Sequence, residues 1–254
     1  MKSVVYDGSW EGFLSAVFDV YEYKFSDADI CPEHLFGGNL FESPHHVVTQ
    51  QAHTERVWKG LEKKLTKEAQ QQLYRTFLSE LPGIENTLLS YIRYAFASPV
   101  FMETDFNHAA VIEVTQTAKK VWREKHRMEA FVRFQKTGDG LFYAIIEPDY
   151  NVLPIIASHF KNRYADQQWL IYDGKRKWGI FYDGESVSNV TINFSKAVEG
   201  GKAAGAVYDV RETLYQDLWQ QYFKSVNIAA RKNTKLHIQH MPRRYWKYLP
   251  EKRI

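Results

Sequence analysis

Met128-Glu129-Ala130-Phe131-Val132-Arg133-Phe134-Gln135-Lys136-Thr137-Gly138-Asp139-Gly140-Leu141-Phe142-Tyr143-Ala144-Ile145-Ile146 divides the chain into two kinds of sequence. Before it, apolar residues recur at helical spacing; from Met128 onward the period changes to alternation. Residues 130–134 and 141–146 flank an Asp-Gly turn, whose positive φ angles suit Gly and Asn or Asp, so the two runs read as a hairpin. The arrangement recurs in residues 169–172, Asp173-Gly174 and residues 178–182, and again where Asp183-Gly184 leads into residues 186–192. Between the first two hairpins a helix begins near Pro154, where a missing N–H is harmless, and runs through His159 and Arg163 to Tyr164. These signals predict an antiparallel sheet of about five strands with a helix across one face, the segregated α+β class.

Upstream, residues 3–6 read as a short strand. A helix follows, capped by Ser9, with Phe13, Val17, Val20 and Tyr21 on one face. Residues 26–48 carry Pro32, Gly37, Gly38 and Pro44 and read as loop. Helices then dominate to about residue 127. Val57, Leu61 and Leu65 share a face, as do Leu73, Phe77 and Leu81, until Pro82-Gly83 stops that element. Leu88, Ile92 and Phe96 form the next stripe. Val111, Val114, Ala118, Val121 and Trp122 form another behind Asn107 as cap. Downstream, residues 200–205 are a glycine-rich connection, and Asp209 with Glu212 opens a helix carrying Leu214, Leu218, Trp219, Tyr222 and Phe223. No internal repeat interrupts this order. The sequence therefore predicts an α-rich N-terminal segment over 1–84 and an α+β core over 85–254 that ends in a basic, aromatic tail.

A hydrophobic share of 44% and a charged share of 25% supply an ordinary packed core, which argues against disorder. The single cysteine, Cys31, excludes an internal disulfide, an iron–sulfur cluster and a zinc ribbon, so no cofactor of the chain's own is expected. The first residues turn polar too early for a secretory signal, and no apolar run approaches the roughly 18 residues of a membrane span. A cytoplasmic protein without a membrane partner is expected. Charge is distributed unevenly. Asp7, Glu11, Asp19, Glu22, Asp27, Asp29, Glu33 and Glu42 outnumber Lys2 and Lys24 at the front. At the back, Lys224, Arg231, Lys232, Lys235, Arg243, Arg244, Lys247, Lys252 and Arg253 face Glu251 alone, which points to a polyanion-facing end.

Several segments, in order, carry a family likeness. They are residues 143–154 (Tyr-Ala-Ile-Ile-Glu-Pro-Asp-Tyr-Asn-Val-Leu-Pro), His159-Phe160 through Arg163-Tyr164-Ala165-Asp166, Trp169-Leu170-Ile171-Tyr172-Asp173, Ala230-Arg231-Lys232-Asn233, and residues 241–251 (Met-Pro-Arg-Arg-Tyr-Trp-Lys-Tyr-Leu-Pro-Glu). The chain resembles bacterial proteins described as probable DNA metabolism proteins, which contain a domain of unknown function. Members of that family are typically encoded beside a radical-SAM protein thought to modify or repair DNA, and the domain also occurs fused to proteins of the uracil-DNA glycosylase superfamily. The resemblance implies DNA and a radical-SAM protein as partners, with the partner supplying any redox chemistry.

The tail is the leading candidate site. Arg231, Lys232, Lys235, Arg243, Arg244 and Lys247 interleave with Tyr245, Trp246 and Tyr248, so cations for phosphates alternate with planes on which unpaired bases stack. The competing reading is a terminal clasp that tucks Tyr245 and Trp246 into the core. Glu147, Asp149 and Asp173, with His159 nearby, are candidates for general acid–base work or metal holding in a DNA-acting hydrolase or glycosylase. Turn and helix capping accounts for each acid better. Cys31, His34, His45, His46 and His53 crowd one region, and His237 with His240 make an H-x-x-H spacing, but neither set matches a zinc pattern, so no metal site is expected. A third possibility is a protein–protein adaptor whose acidic N-terminal half docks a basic partner. The sequence thus favours a nucleic-acid-binding accessory protein in DNA repair or modification.

Overall fold

The computed structural model describes residues 1–37, 43–99, 101–138, 140–191, 238 and 241–252. The chain divides into two compact units, Met1–Trp122 and Arg123–Ile254.

In the first unit, β1 (Lys2–Tyr6), α1 (Trp10–Glu22) and β2 (Ala28–Pro32) make a strand–helix–strand crossover. A two-residue strand, β3 (His45–His46), pairs on the other side of β1, giving a parallel sheet ordered β2-β1-β3. Ser9 caps α1, accepting the Gly12 N–H at 2.9 Å. β2 and β3 fall in the stretch whose prolines and glycines read as loop. Their partners are tertiary: the Ile30 N–H donates to Asn86 Oδ1 at 2.9 Å, and Ile30 is 1% exposed.

Four helices follow: α2 (Gln51–Glu62), α3 (Lys67–Phe77), α4 (Ile84–Ala97) and α5 (Ala109–Phe131). Thr66 separates α2 from α3 by capping the Ala69 N–H, and Gly83 opens α4 at a φ of +76° that a side chain would resist. Phe13, Leu61, Leu73, Leu88, Ile92, Val111 and Val114 are fully buried and form the core, each contributing about 1.5–3 kcal/mol.

The second unit begins within α5 and continues through β4 (Gln135–Lys136), β5 (Phe142–Ile146), α6 (Leu153–Arg163), β6 (Trp169–Asp173), β7 (Trp178–Tyr182) and β8 (Val187–Val190). The class is α+β, and among the described residues the sheet has five strands in the order β4-β5-β6-β7-β8. It is mixed, not antiparallel: β5 and β6 run parallel, in register from Phe142↔Trp169 to Ile146↔Asp173. The reason is α6. A helix between two neighbouring strands returns the chain to the starting end of the sheet, so the second strand must follow the direction of the first. Residues 130 and 131 are also helical, with Met128 and Val132 buried, so the stripe set by Val121 outlasts the apparent alternation. Trp169, Phe160 and Tyr182 pack at the centre, ring centroids 5.5–6.1 Å apart.

Among the described residues no helix is long and apolar enough to cross a membrane. The connection over 200–205, the helix expected after Asp209, and Arg231, Lys232, Lys235, His237 and His240 lie outside the described residues.

Candidate nucleic-acid interface

Because β5 and β6 are parallel, both leave the sheet at the same edge, Ile146 beside Asp173. Glu147-Pro148-Asp149 follows the first strand and Gly174-Lys175-Arg176-Lys177 the second. Asp173 is fully buried and builds the turn: Oδ1 accepts the Lys175 and Arg176 N–H groups at 2.8 and 3.1 Å, and Oδ2 accepts Arg176 Nη1 at 2.9 Å. Arg176 also donates to the carbonyls of Pro148 and Asp149, each at 3.1 Å. One guanidinium therefore ties the two strand exits together.

The C-terminal segment lies beside β5. After Pro242 it makes a 3-10 turn, Arg243–Tyr248, and a second short one, Pro250–Lys252. Tyr245 and Leu249 point inward, 2% and 0% exposed. The Tyr245 hydroxyl donates to Glu124 Oε1, which also accepts the Asp149 N–H at 2.9 Å. Glu124, 1% exposed, faces Arg244 Nη2 at 3.2 Å and Arg127 Nη1 at 3.5 Å through its other oxygen. Arg244 reaches Asp149 Oδ2 as well, at 2.7 Å. A buried carboxylate survives only when paired and hydrogen-bonded, and here the tail supplies two of the partners. Burial first, then the bond to Glu124, pushes the Tyr245 hydroxyl far above the ordinary tyrosine range, so it stays a donor.

Outside this anchor the segment carries its solvent-facing groups. Lys247 Nζ meets Glu147 Oε2 at 2.5 Å, both side chains being about half exposed. That bond holds the Glu147 carboxyl below its usual range and raises the Lys247 ammonium. Tyr248, with Lys247 over its ring, is pushed up to about 12, chiefly by burial. Trp246 is half-buried: its indole N–H donates to the Met241 carbonyl at 3.1 Å, and Arg243 and Lys252 stand 5.8 and 5.3 Å from its ring centroid. Arg243 is exposed and makes no ion pair among the described residues.

The structure thus brings Glu147, Asp149, Asp173, Arg244, Trp246 and Lys247 into one neighbourhood. His159 stands apart, on α6, its Nδ1 3.7 Å from Glu129, which also receives Lys125 at 2.5 Å. Each candidate acid already faces a cation: Lys247 on Glu147, Arg244 on Asp149, Arg176 on Asp173. Carboxylates held this way position cations. In the first unit, His45 bonds Asp19 at 2.7 Å and His53 stacks on Phe18, and among the described residues no group of three His, Cys, Asp or Glu side chains could hold a metal ion.

Two features escaped the sequence reading. Glu124 sits three residues after Val121 and four before Met128, an acid on an apolar stripe, which signals a buried pair. Lys175-Arg176-Lys177 is a run of three cations inside a hairpin turn, overlooked beside the more conspicuous tail.

Residues 82–251, more than half of the chain and all of this neighbourhood, match the model of a family described as a domain of unknown function, DUF4130. No curated protein and no solved structure matches the chain.

Proposed function

The chain belongs to the DUF4130 family, whose description names no activity, and from its second unit we propose a nucleic-acid-binding accessory protein in DNA repair or modification. The observation that carries this reading is the construction of the C-terminal segment. Tyr245, Leu249 and the Glu124–Arg244 pair fasten it from beneath, while Arg243, Lys247 and the edge of Trp246 face outward. Fastened cations lose little freedom on meeting a phosphate, and a partly open indole beside them suits an unstacked base. DNA as the nucleic acid, and a radical-SAM protein as the partner that performs the chemistry, enter through the resemblance to DNA metabolism proteins. In this division of labour the chain supplies grip and the partner supplies redox chemistry.

The test is DNA affinity as a function of salt for the full chain and for Arg243→Gln/Lys247→Gln. Both substitutions spare Arg244, whose loss would take the nearer of two cations from the buried Glu124. Removing two phosphate contacts lowers the salt slope on duplex by about 1.8. Identical slopes for the two proteins would reject the segment as the contact.

A further inference from the structure

Resting on the reading just given, we propose that the turn between β6 and β7, Lys175-Arg176-Lys177, is a second phosphate-binding element, gripping the same nucleic-acid backbone as the C-terminal segment. The turn is built without two of its three cations. Asp173 caps the Lys175 and Arg176 backbone N–H groups, the Lys177 N–H donates to the Asp173 carbonyl at 2.9 Å, and Arg176 locks onto the neighbouring strand exit. The Lys177 ammonium contributes only charge, and that of Lys175 adds a single long contact, 3.4 Å, to the Asp149 carbonyl. Both are exposed, and neither makes an ion pair among the described residues.

Local physics argues against lysine here. Lys177 sits at φ +61°, in the left-handed region where glycine or asparagine is at ease. Lys175 and Lys177, two residues apart on a tight turn, also repel each other, Arg176 between them being paired with Asp173. A fold-only choice at this position would be glycine; strain and like charge held at an exposed turn point to a contact made there.

The position fits that contact. Gly174 lies against Glu147, the residue that holds Lys247, and the Lys175 ammonium approaches the carbonyl of Asp149, the residue that holds Arg244. The turn and the C-terminal segment therefore border the 147–149 segment together, and a phosphodiester strand laid along it meets lysines from both.

The experiment compares the full chain with Lys175→Gln/Lys177→Gln and with Lys177→Gly, reading DNA affinity against salt and the thermal midpoint of each. The double variant should lose about 1.8 in salt slope on duplex, uniformly across sequences. Lys177→Gly should raise the thermal midpoint by relieving the left-handed lysine, yet bind more weakly. Wild-type affinity and slope in both variants would overturn the turn's role while leaving the C-terminal segment's intact. A full chain with no salt-dependent affinity for DNA would sink both proposals. Polyglutamate competing as well as DNA of equal charge would assign the turn to acidic protein partners and overturn the phosphate assignment.

Discussion

Replacing Tyr245 with Phe isolates the anchor on which the functional reading stands. The ring keeps its burial, 2% exposed and 6.0 Å from Phe131, so the hydrophobic contribution is unchanged. What disappears is one hydroxyl donated to a carboxylate that is itself 1% exposed. Glu124 retains the Asp149 N–H, Arg244 and Arg127, so the charge is not stranded. The hydroxyl also accepts Arg244 Nη2 at 2.5 Å, but that guanidinium is 40% exposed and can turn to water, so the bond to the buried Glu124 dominates the loss, about 1.5–3 kcal/mol. Tyr245→Ala removes the ring as well and should cost about 3–5 kcal/mol, as aromatic truncations in cores do. Urea unfolding of the full chain measures both. Amide hydrogen exchange over residues 241–252 then shows whether the segment loosens locally before the rest of the unit. If Tyr245→Phe and Tyr245→Ala both leave stability and exchange as in the wild type, the segment is not fastened through Glu124 and the argument for preorganised cations fails.

Glu147→Gln should tighten DNA binding by up to about fivefold, because it removes the acid from an exposed pair contributing no more than about 1 kcal/mol. Weaker binding in a fluorescence anisotropy titration would instead make Glu147 part of the contact. The same pair predicts a pH signature. Since Lys247 depresses the Glu147 carboxyl, the pair's small stabilisation is present above the carboxyl's ordinary value of 4.5 and lost as pH falls through the depressed one. Lys247→Gln should move the Glu147 titration, followed by carboxyl NMR, upward toward that ordinary value; an unmoved midpoint would dissolve the pair.

How much of this was legible beforehand depends on where each signal resides. The β6–β7 turn was readable because Asp173-Gly174 is chemistry local to four residues. The parallel pairing of β5 and β6 was also encoded, in the helix between them, but alternation within each strand says nothing about direction, and successive Asp-Gly turns suggested hairpins throughout. β2 and β3 carried no local signal: one is fixed by pairing with β1 across a helix and by Asn86, 56 residues away, and the other is two residues long. The site divides the same way. The cations of the tail are visible as composition, whereas their neutralisation by Glu147, Asp149 and Glu124 joins residues about a hundred positions apart, which no spacing rule reaches.

That neutralisation decides what the segment can do, because the two tail cations facing acids are not equivalent. Arg244 faces a carboxylate that is 1% exposed; pulling it onto a phosphate would take from that buried charge the nearer of its two cations, leaving Arg127 at 3.5 Å, at a cost well above that of an exposed pair. Lys247 faces a carboxylate that is 41% exposed, and its pair contributes about 0–1 kcal/mol, within reach of a phosphate and the counterions it releases. So the clasp describes one set of residues and the proposed grip another. Arg244, Tyr245 and Leu249 belong to the fold, while Arg243 and Lys247, flanking them in sequence, are the cations that the proposal assigns to a polyanion. The 3-10 turn does not sort these cations, since Arg244 and Lys247 are three apart and share a face; the burial of the acid that each one meets does.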